Sequence, residues 1–331
     1  MATLTATDLT LLDVAKRLDP DGGAADIAEM LSQDNEMLMD MPWIEGNLPT
    51  GSRVTVRTGL PDVAWRKLNQ GVPQSKGTTA QIDETCGMLE AFGQVDIDLA
   101  MLNGNTAAFR AGENRGFLEA MNQEMVSTVF YGDTAVNPER FLGFSPRFGD
   151  NSGPENADNI IDAGGTGTDN TSIWLIGWAP HTVHGIYPKG SKAGLIHEDL
   201  GIETVLDSSS RKYRAYQDRY QWKCGIAVRD WRYVVRIANI DTSDLLKTAA
   251  TGGDLPDLMT RALERIHSLS GVRPVFYGNR TVRSFMRRQQ VSKVANSTLA
   301  FDTIAGKPVL SFAEVPFRRV DALTNAEARV V

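Results

Sequence analysis

Residues 225–240 carry the pattern that most constrains the fold of this chain. Residues 225–229 are apolar except for the final Arg229. In residues 231–240 large apolar side chains recur at every second position: Trp231, Tyr233, Val235 and Ile237. A period of two is typical of a β-strand that buries one face. We therefore predict two consecutive strands here, the second alternating its apolar side chains with Arg232, Val234, Arg236 and Ala238.

A second β-rich region precedes this one. Residues 52–58 and 93–99 alternate apolar with polar side chains, so both are predicted strands. Residues 59–90 between them are rich in Gly, Pro, Thr and Gln, and their main apolar side chains are Trp65 and Leu68. A polar loop of this length is uncommon inside a compact domain and usually reaches a partner.

Helical patterns lie between and after these strands. The longest covers residues 106–131, with Asn105 as its N-cap. Its apolar stripe consists of Leu118, Met121, Met125 and Val129. Pro256 lies in the first turn of a second helix that Gly271 closes, and Asn279 caps a third.

The remaining segments are short strands and loops. Strands are predicted at residues 173–178, 275–277, 308–312 and 317–323, and residues 137–172 are predicted to be mostly loop. Helices and strands follow one another without regular alternation, which indicates the α+β class.

Composition limits the kind of protein this can be. The chain has 331 residues, 42% apolar and 23% charged, which excludes wholesale disorder and predicts one or two cores. Its first residues lack the pattern of a signal peptide, and no run of about 18 apolar residues predicts a membrane span. Cys86 and Cys224 belong to no CxxC or Cys/His cluster, so we expect reduced, half-buried thiols in a cytosol-like compartment.

Charge is unevenly distributed along the chain. Residues 1–50 hold ten acidic and two basic residues, although the whole chain carries only −7. Two short amphipathic helices are predicted in this acidic region, at residues 8–18 and 24–39. Residues 211–236 and 280–293 carry net charges of +6 and +5. These segments could meet within or between copies of the chain, or they could simply be solvated faces. The negative total argues against a dedicated nucleic-acid binder.

Few residues are candidates for catalysis. Residues 164–169 are rich in glycine, but no Gly-Lys-Ser/Thr is present and no helix is predicted to follow, so a phosphate loop is not indicated. His181 and His184 could ligate a metal with Glu198, yet Pro180 argues against the helix that their spacing requires. We expect both histidines at the surface, where changing them to Ala alters stability by about 0.5 kcal/mol or less. No catalytic, cofactor-binding or metal-binding residue is predicted, and the chain is predicted not to be an enzyme.

The order of these elements resembles the major capsid proteins of tailed double-stranded-DNA bacteriophages. Those proteins have an N-terminal arm, an extended β loop, a long spine helix, a body of sheet and helices, and a final strand, in that order. Residues 222–241, which begin Trp-Lys-Cys-Gly-Ile-Ala-Val-Arg-Asp-Trp, look like the central segment in a group of short-tailed phages. Residues 315–328, which begin Val-Pro-Phe-Arg-Arg-Val-Asp-Ala-Leu, look like their C-terminus. Residues 277–280 and 306–309 fit as well.

The resemblance implies five parts of the chain. These are an N-terminal arm, an extended β-hairpin loop, a peripheral domain with the spine helix, an axial domain, and a C-terminal strand returning to the peripheral domain: residues 1–50, 51–100, 101–174, 175–310 and 311–331. Some members of the family cross-link their subunits through a Lys–Asn isopeptide bond. Lys67 and Lys76 lie in the loop, but no matching Asn or catalytic Glu is evident, so no cross-link is predicted.

The resemblance also implies the function and the partners. The chain would assemble with itself into pentamers and hexamers of an icosahedral capsid enclosing the phage genome, first in the host cytoplasm and then in the virion. Its partners would be portal and scaffolding proteins, a cement protein in some members, and packaged DNA without sequence specificity, and no membrane would be involved. An arm of about 50 residues is short for a folded scaffolding domain, so a separate scaffold or none is expected.

Three alternatives remain open on the sequence alone. A bacterial nanocompartment shell of the same fold would need a cargo-binding groove. A metal-dependent hydrolase would use His181, His184 and Glu198. A nucleic-acid-binding module would use the basic residues within 211–236 and 280–293.

Overall fold

The computed structural model of the chain describes residue 33 and residues 35–101, 106–153, 155–206, 210–245, 254–292, 299–304 and 307–331. The α-helices in these ranges are α1 (Met37–Asp40), α2 (Ile97–Met101), α3 (Thr106–Tyr131), α4 (Phe144–Arg147), α5 (Leu255–Arg265) and α6 (Arg280–Ser292). The strands are β1 (Trp43–Glu45), β2 (Gly51–Gly59), β3 (Thr78–Thr85), β4 (Gly87–Asp96), β5 (Ile160–Asp162), β6 (Asn170–Trp178), β7 (Val183–Tyr187), β8 (Leu195–Leu206), β9 (Lys212–Val228), β10 (Val234–Asp241), β11 (Arg273–Gly278), β12 (Leu299–Ile304), β13 (Lys307–Phe312) and β14 (Val315–Arg319).

The chain divides into two compact units. The larger unit comprises Asn35–Gly87, Ser127–Ala193 and Cys224–Val331. The smaller unit comprises Met88–Val126, Gly194–Lys223 and the first 34 residues, which lie almost entirely outside the described ranges. No helix in those ranges is long and apolar enough to cross a membrane.

Strand β6 is the centre of the larger unit. It pairs antiparallel with β10 on one side and with β11 on the other, and all nine of its residues are buried. Strand β5 lies parallel to β10, and β14 lies parallel to β11, followed outward by β13 and β12. Strand β7 pairs parallel with the last residue of β6, at Trp178↔Val183. It also pairs with β1 and with the last residues of β9. The sheet therefore contains both parallel and antiparallel strand pairs.

Helices α5 and α6 cover one face of this sheet. Met259 of α5 and Val282 and Met286 of α6 are fully buried, in one cluster with Leu175 of β6 and Phe276 of β11. The two helices are strongly amphipathic, because polar side chains occupy the positions that face away from this cluster.

An aromatic layer covers the opposite face. Trp174, which alternates with the residues facing α5 and α6, lies 5.9 Å from Phe130 and 5.8 Å from Phe144 between ring centroids. Phe148 lies 6.1 Å from the same indole at an edge-to-face angle. Tilted and edge-to-face contacts of this kind add about 0.5–1.5 kcal/mol beyond area burial. The sheet is thus buried on both sides.

The smaller unit is built around the β8–β9 hairpin, whose register runs from Leu195↔Trp222 to Leu206↔Lys212. Asp218 of β9 is buried and accepts hydrogen bonds from Arg110 at 2.9 Å and Asn114 at 2.8 Å, both from α3. The Nε2 of His197 lies 2.9 Å from the same carboxylate. Burial alone would raise the pKa of Asp218, but these partners hold it below its ordinary value. The carboxylate therefore stays charged and joins the helix to the hairpin.

Helix α3 confirms the longest predicted helix. Three of the four predicted stripe residues are buried: Met121, Met125 and Val129. Leu118 is 38% exposed, so its assignment to the buried stripe is wrong. The helix ends at Gly132, where a Cβ would lie 2.4 Å from the carbonyl oxygen of Phe141. Only glycine permits this close passage of two backbone segments. Asn105, the predicted cap, lies outside the described residues.

Strands β6, β11 and β13 and helices α5 and α6 also confirm predicted elements. The Oδ1 of Asn279 accepts a hydrogen bond from the backbone N–H of Val282 at 2.9 Å, which is the predicted N-cap of α6. Helix α5 ends at Arg265, so its predicted closure at Gly271 is wrong. Strands β3, β7, β8 and β12 were not predicted, and β9 begins at Lys212, well before the expected start at residue 225.

Two predicted strands need correction. Residues 231–233 form a short 3-10 turn, and β10, which follows it, is buried on both faces from Val234 to Ile240. The expected one-faced pattern is wrong, because helices pack on one side of β10 and aromatic side chains on the other. Residues 97–99 belong to α2, and the strand that pairs with β2 is β3, which lies inside the predicted loop.

Arg236 of β10 is a buried cation inside the larger unit. Its guanidinium donates to Glu327 at 2.8 Å, to Ser172 Oγ at 3.1 Å and to the carbonyl oxygen of Phe148 at 2.9 Å. It also lies 5.0 Å from the ring centroid of Trp174. The side chains of Arg236 and Glu327 are only 3% and 5% exposed. We refer to this network of Arg236, Glu327 and their partners as the buried arginine network.

The same network fixes the last described segment of the chain. Tyr131 of α3 donates its hydroxyl hydrogen to Glu327 at 2.5 Å, and burial together with that carboxylate raises the pKa of Tyr131. Nearby, the side-chain amide of Asn239 donates to the carbonyl oxygen of Val330 and its Oδ1 accepts from the same residue, both at 2.8 Å. Helix α3, the central sheet and the final segment are therefore joined by one set of polar contacts.

We predict that Arg236→Met destabilises the unassembled chain by about 3–5 kcal/mol, because it leaves the Glu327 carboxylate buried without its counter-charge. The measurement is urea unfolding followed by far-UV circular dichroism. Arg232→Gln is the matched control, since Arg232 pairs with Asp230 on the surface and should cost about 1 kcal/mol or less. Equal losses for the two variants would contradict the structural role given to Arg236.

Candidate assembly surfaces

Strands β2 and β3 form an antiparallel hairpin that ends in a long exposed loop. Their register runs from Gly51↔Thr85 to Gly59↔Thr78, and every residue from 60 to 77 in the connecting loop is exposed. The apolar loop tip, as we name it, consists of Leu60, Val63, Trp65, Leu68 and Val72. Trp65 and Leu68 are 102% and 92% exposed, so they contribute nothing to the core of their own subunit. Contiguous exposed apolar side chains of this kind mark an interaction surface.

A buried ion pair fixes the base of this hairpin. Glu84 of β3 and Arg147 of α4 have side chains only 5% and 15% exposed, and Arg147 Nη1 donates to Glu84 Oε1 at 2.7 Å. Arg147 also donates to the backbone carbonyl oxygens of Gly143 and Leu142, each at 3.2 Å. The hairpin therefore leaves the body of the larger unit in a defined direction, while its tip has no such contacts.

A groove of about 1150 Å³ lies between the hairpin and the body of the larger unit. Apolar side chains from both sides line it: Val54, Val56, Ile82, Phe148, Val228 and Trp231. Arg57, His181 and Arg229 add basic groups to the same lining. A concave surface with this mixture can receive an apolar segment of another chain.

The described acidic residues of the N-terminal region are paired within their own subunit. Arg318 donates to Glu36 at 2.9 Å, and Arg273 lies 2.6 Å from Asp40. Asp40 is buried and also accepts from the hydroxyl of Tyr277 at 3.1 Å. Within the subunit, the partners of these two acids lie on β11 and β14 and not in residues 211–236 or 280–293. The acids before residue 35 lie outside the described residues.

The segment 211–236 is a basic surface only in part. Arg219 pairs with Glu90, and Arg232 pairs with Asp230 at 2.7 Å. Arg236 is buried in its network. The exposed basic residues include Arg211, Lys212 and Arg214. The sequence correctly shows an excess of positive charge here, but it could not show that pairing and burial remove part of it from the surface.

The candidate metal ligands are not brought together. No group of three His, Cys, Asp or Glu in the described part of the chain could hold a metal ion. His181 is exposed, and Glu198 lies on β8 within 3.4 Å of Arg219. His184 lies on β7 opposite Ala227 and is fully buried. The expectation that both histidines are at the surface is therefore wrong for His184.

The glycine-rich segment connects two strands. Residues 163–169 run from β5 to β6. A phosphate loop would need a helix after it, and within the described residues a strand follows instead.

Cys86 and Cys224 are free thiols. Burial raises the pKa of Cys86 to about 11 and raises that of Cys224 as well. Both thiols are therefore protonated, and hence poor nucleophiles, at neutral pH.

His184 is predicted to make folding stability depend on pH. Burial first, and then the charges of Arg229 and His181, lower the pKa of His184 to about 4 from an ordinary 6.5. Neither ring nitrogen has a hydrogen-bond partner among the described residues. As the pH falls from about 6.5 to about 4, His184 becomes protonated in the unfolded chain but stays neutral in the folded chain. Stability should therefore be full above about 6.5 and fall by about 3 kcal/mol towards pH 4.

The measurement is chemical denaturation of the unassembled chain at several pH values. Other groups titrate in this range too, so the His184→Leu variant isolates the contribution of His184, because it should flatten this part of the profile. His181→Ala is the control and should keep most of the slope, because burial, the largest cause of the lowered His184 pKa, is unchanged in it. An unchanged slope in His184→Leu would contradict the assignment.

Comparisons with known proteins show the family to which the chain belongs. The family model described as Major capsid protein GP7 matches residues 19–331. A chain in the structure of bacteriophage Epsilon15 is 34% identical, with a TM-score of 0.78, and the match covers 100% of this chain and 99% of that one. A search of proteins with curated descriptions finds no match.

A more distant phage capsid structure shares the fold. The capsid of bacteriophage JBD30 has a TM-score of 0.51 at 10% identity, and the match covers 89% of this chain and 93% of that one. An encapsulin from Synechococcus elongatus has a TM-score of 0.42 at 11% identity, with 70% of this chain and 96% of that one covered, which is too distant to bear on function.

The family model covers nearly the whole sequence. The Epsilon15 chain matches this chain over its full length, at an identity that indicates common function as well as common fold. The predicted resemblance is confirmed. The chain belongs to the major capsid proteins of tailed bacteriophages, and it is a structural subunit of the phage capsid.

Proposed function

We propose that this subunit acts in the capsid by binding further copies of itself through the apolar loop tip, and that it has no catalytic role. The observation that carries this proposal is the tip itself, whose five apolar side chains have no place in the core of their own subunit. Burying such a side chain is worth about 1.5–3 kcal/mol. A shell repeats the contact in every subunit, so the tip is a strong source of assembly energy.

The copies form pentamers and hexamers that close an icosahedral shell. In this arrangement residues 1–50 act as an arm, the hairpin within residues 51–100 reaches a neighbour, and residues 101–174 and 311–331 form the peripheral domain. Residues 175–310 form the axial domain. The buried Glu84–Arg147 pair supports the proposal, because it gives the hairpin the defined direction that a repeated contact needs.

Other partners are the portal protein, a separate scaffolding protein and, where one exists, a cement protein. Assembly takes place in the cytoplasm of the host.

The subunits are held without covalent cross-links, since Lys67 and Lys76 have no recognisable Asn and Glu partners in the sequence. A metal-dependent hydrolase has no supporting observation, because the three residues it would need do not form a metal site in the described part of the chain.

The loop tip provides the direct test. Changing Leu60, Val63, Trp65 and Leu68 together to Ser should prevent shell formation, while thermal stability of the unassembled chain changes by about 0.5 kcal/mol or less, as for other exposed positions. Sedimentation and negative-stain imaging measure assembly. The control is Val136→Ser with Leu269→Ser, two exposed apolar residues outside the loop, which should leave shells intact. Normal shells from the fourfold variant would refute the proposal.

The arm is tested separately by deleting residues 1–32. We expect the shortened chain to fold, because Glu36 and Asp40, which fix the start of the described region, are kept. It should fail to close shells at any salt concentration, since an arm that contributes apolar contacts cannot be replaced by screening of charges. Sedimentation at low and high salt measures this, and shells of normal size from the deletion variant would show that the arm is dispensable.

A further inference from the structure

The outer face of α6 carries an unusual concentration of arginine. Its thirteen residues include four arginines and no Asp or Glu. Arg280, Arg287 and Arg288 are exposed, and positions seven and eight residues apart lie on the same side of a helix. Val282 and Met286 on the other side are fully buried. The arginines therefore form one outward-facing row.

Helix α5 shows that this row is not the ordinary polar side of a surface helix. It packs against the same face of the sheet, but its exposed positions mix both signs of charge: Asp257, Arg261, Glu264 and Arg265. In α6, Arg280 lies 3.1 Å from Asp321, and the Arg280 side chain is still 71% exposed. Arg288 lies 5.0 Å from the ring centroid of Phe285, which keeps its guanidinium extended along the helix surface.

We propose that the outer face of α6 binds the phosphate backbone of duplex DNA without reading its base sequence. A helix of 13 residues is about 20 Å long, while duplex DNA presents a charge about every 1.7 Å along its axis, so two or three phosphates can meet the row. The planar guanidinium group matches a phosphate in geometry and charge. With a net charge of −7 on the whole chain, each contact is weak and local, and holds DNA without immobilising it.

The acidic N-terminal region of another copy is the rival occupant. Residues 1–34 carry seven acids and two bases, and their apolar positions, such as Leu11, Leu12 and Leu18, would need an apolar surface to pack on. Among the side chains of α6 that the structure describes, the exposed ones are Arg280, Ser284, Arg287 and Arg288, and none of these is apolar. A phosphate backbone needs only cations, so the surface fits DNA better.

The test uses the purified, unassembled full-length chain and a fluorescent duplex of about 40 base pairs, a length that exceeds the helix several times. Anisotropy titrations at about 50–200 mM salt give the affinity and its salt slope, which we expect near −3. Arg287→Gln with Arg288→Gln should weaken binding at least about tenfold at the lowest salt and bring the slope near −1. Arg287→Lys with Arg288→Lys should keep most of the affinity.

The matched control is Arg57→Gln with Arg261→Gln, which removes the same charge from the hairpin and from α5 and should weaken binding less than about twofold. Melting curves check that every variant is folded. Equal losses in the control and the α6 variant would overturn the proposal, because binding would then follow total charge alone. A second outcome would also overturn the proposal. In it, a peptide of residues 1–34 binds the unmodified chain while the duplex does not, and the peptide binds the Arg287→Gln, Arg288→Gln variant more weakly.

Discussion

The buried pair of Arg236 and Glu327 is the interaction on which the larger unit depends most. A charged side chain in the interior is tolerated only if its partners satisfy it fully, and here the guanidinium reaches a carboxylate, a hydroxyl and a backbone carbonyl. Because these partners come from β6, from the segment after α4 and from the end of the chain, one cation fixes the relative positions of parts that are distant in sequence. An apolar core of the same volume would pack as well without fixing them.

The subunit separates the residues that hold it together from those left for other molecules. Its central sheet is covered on both faces, by α5 and α6 on one side and by aromatic rings on the other. The apolar loop tip lies at the end of a hairpin fixed only at its base by Glu84 and Arg147. Loss of the tip should therefore cost the subunit little, as the proposed role of the tip in assembly needs.

Much of the fold could be predicted from local patterns, and the failures have physical causes. Helix α3 and the Asn279 cap of α6 follow from signals within a few residues. Strand β10 was predicted with one buried face, since its sequence cannot show that layers cover both sides and that Arg236 finds Glu327. Strand β8 was missed because its exposed, charged residues leave no alternation to detect. The polar segment of β3 pairs with β2 through backbone hydrogen bonds, which any sequence can make.

Some features of the candidate surfaces could be predicted from the sequence, and others could not. Trp65 and Leu68 stood out in the loop because large apolar side chains are rare in such polar surroundings. The burial of His184 was missed because the Pro and Gly residues around it suggested a loop, whereas β7 lies between β1 and β9. Charge counts alone placed 211–236 and 280–293 in one class, and they could not show that Arg219 and Arg232 are paired and that Arg236 is buried.

The contact between Asp40 and Tyr277 spans 237 residues of sequence, and that between Glu36 and Arg318 spans 282. Closing such long loops before any contact compensates for the lost entropy makes folding slow. During that time the apolar loop tip, which needs no folded core to be exposed, is already available to other chains. Productive folding therefore competes with premature association, and the outcome depends on how fast the subunits are synthesised relative to how fast each one folds.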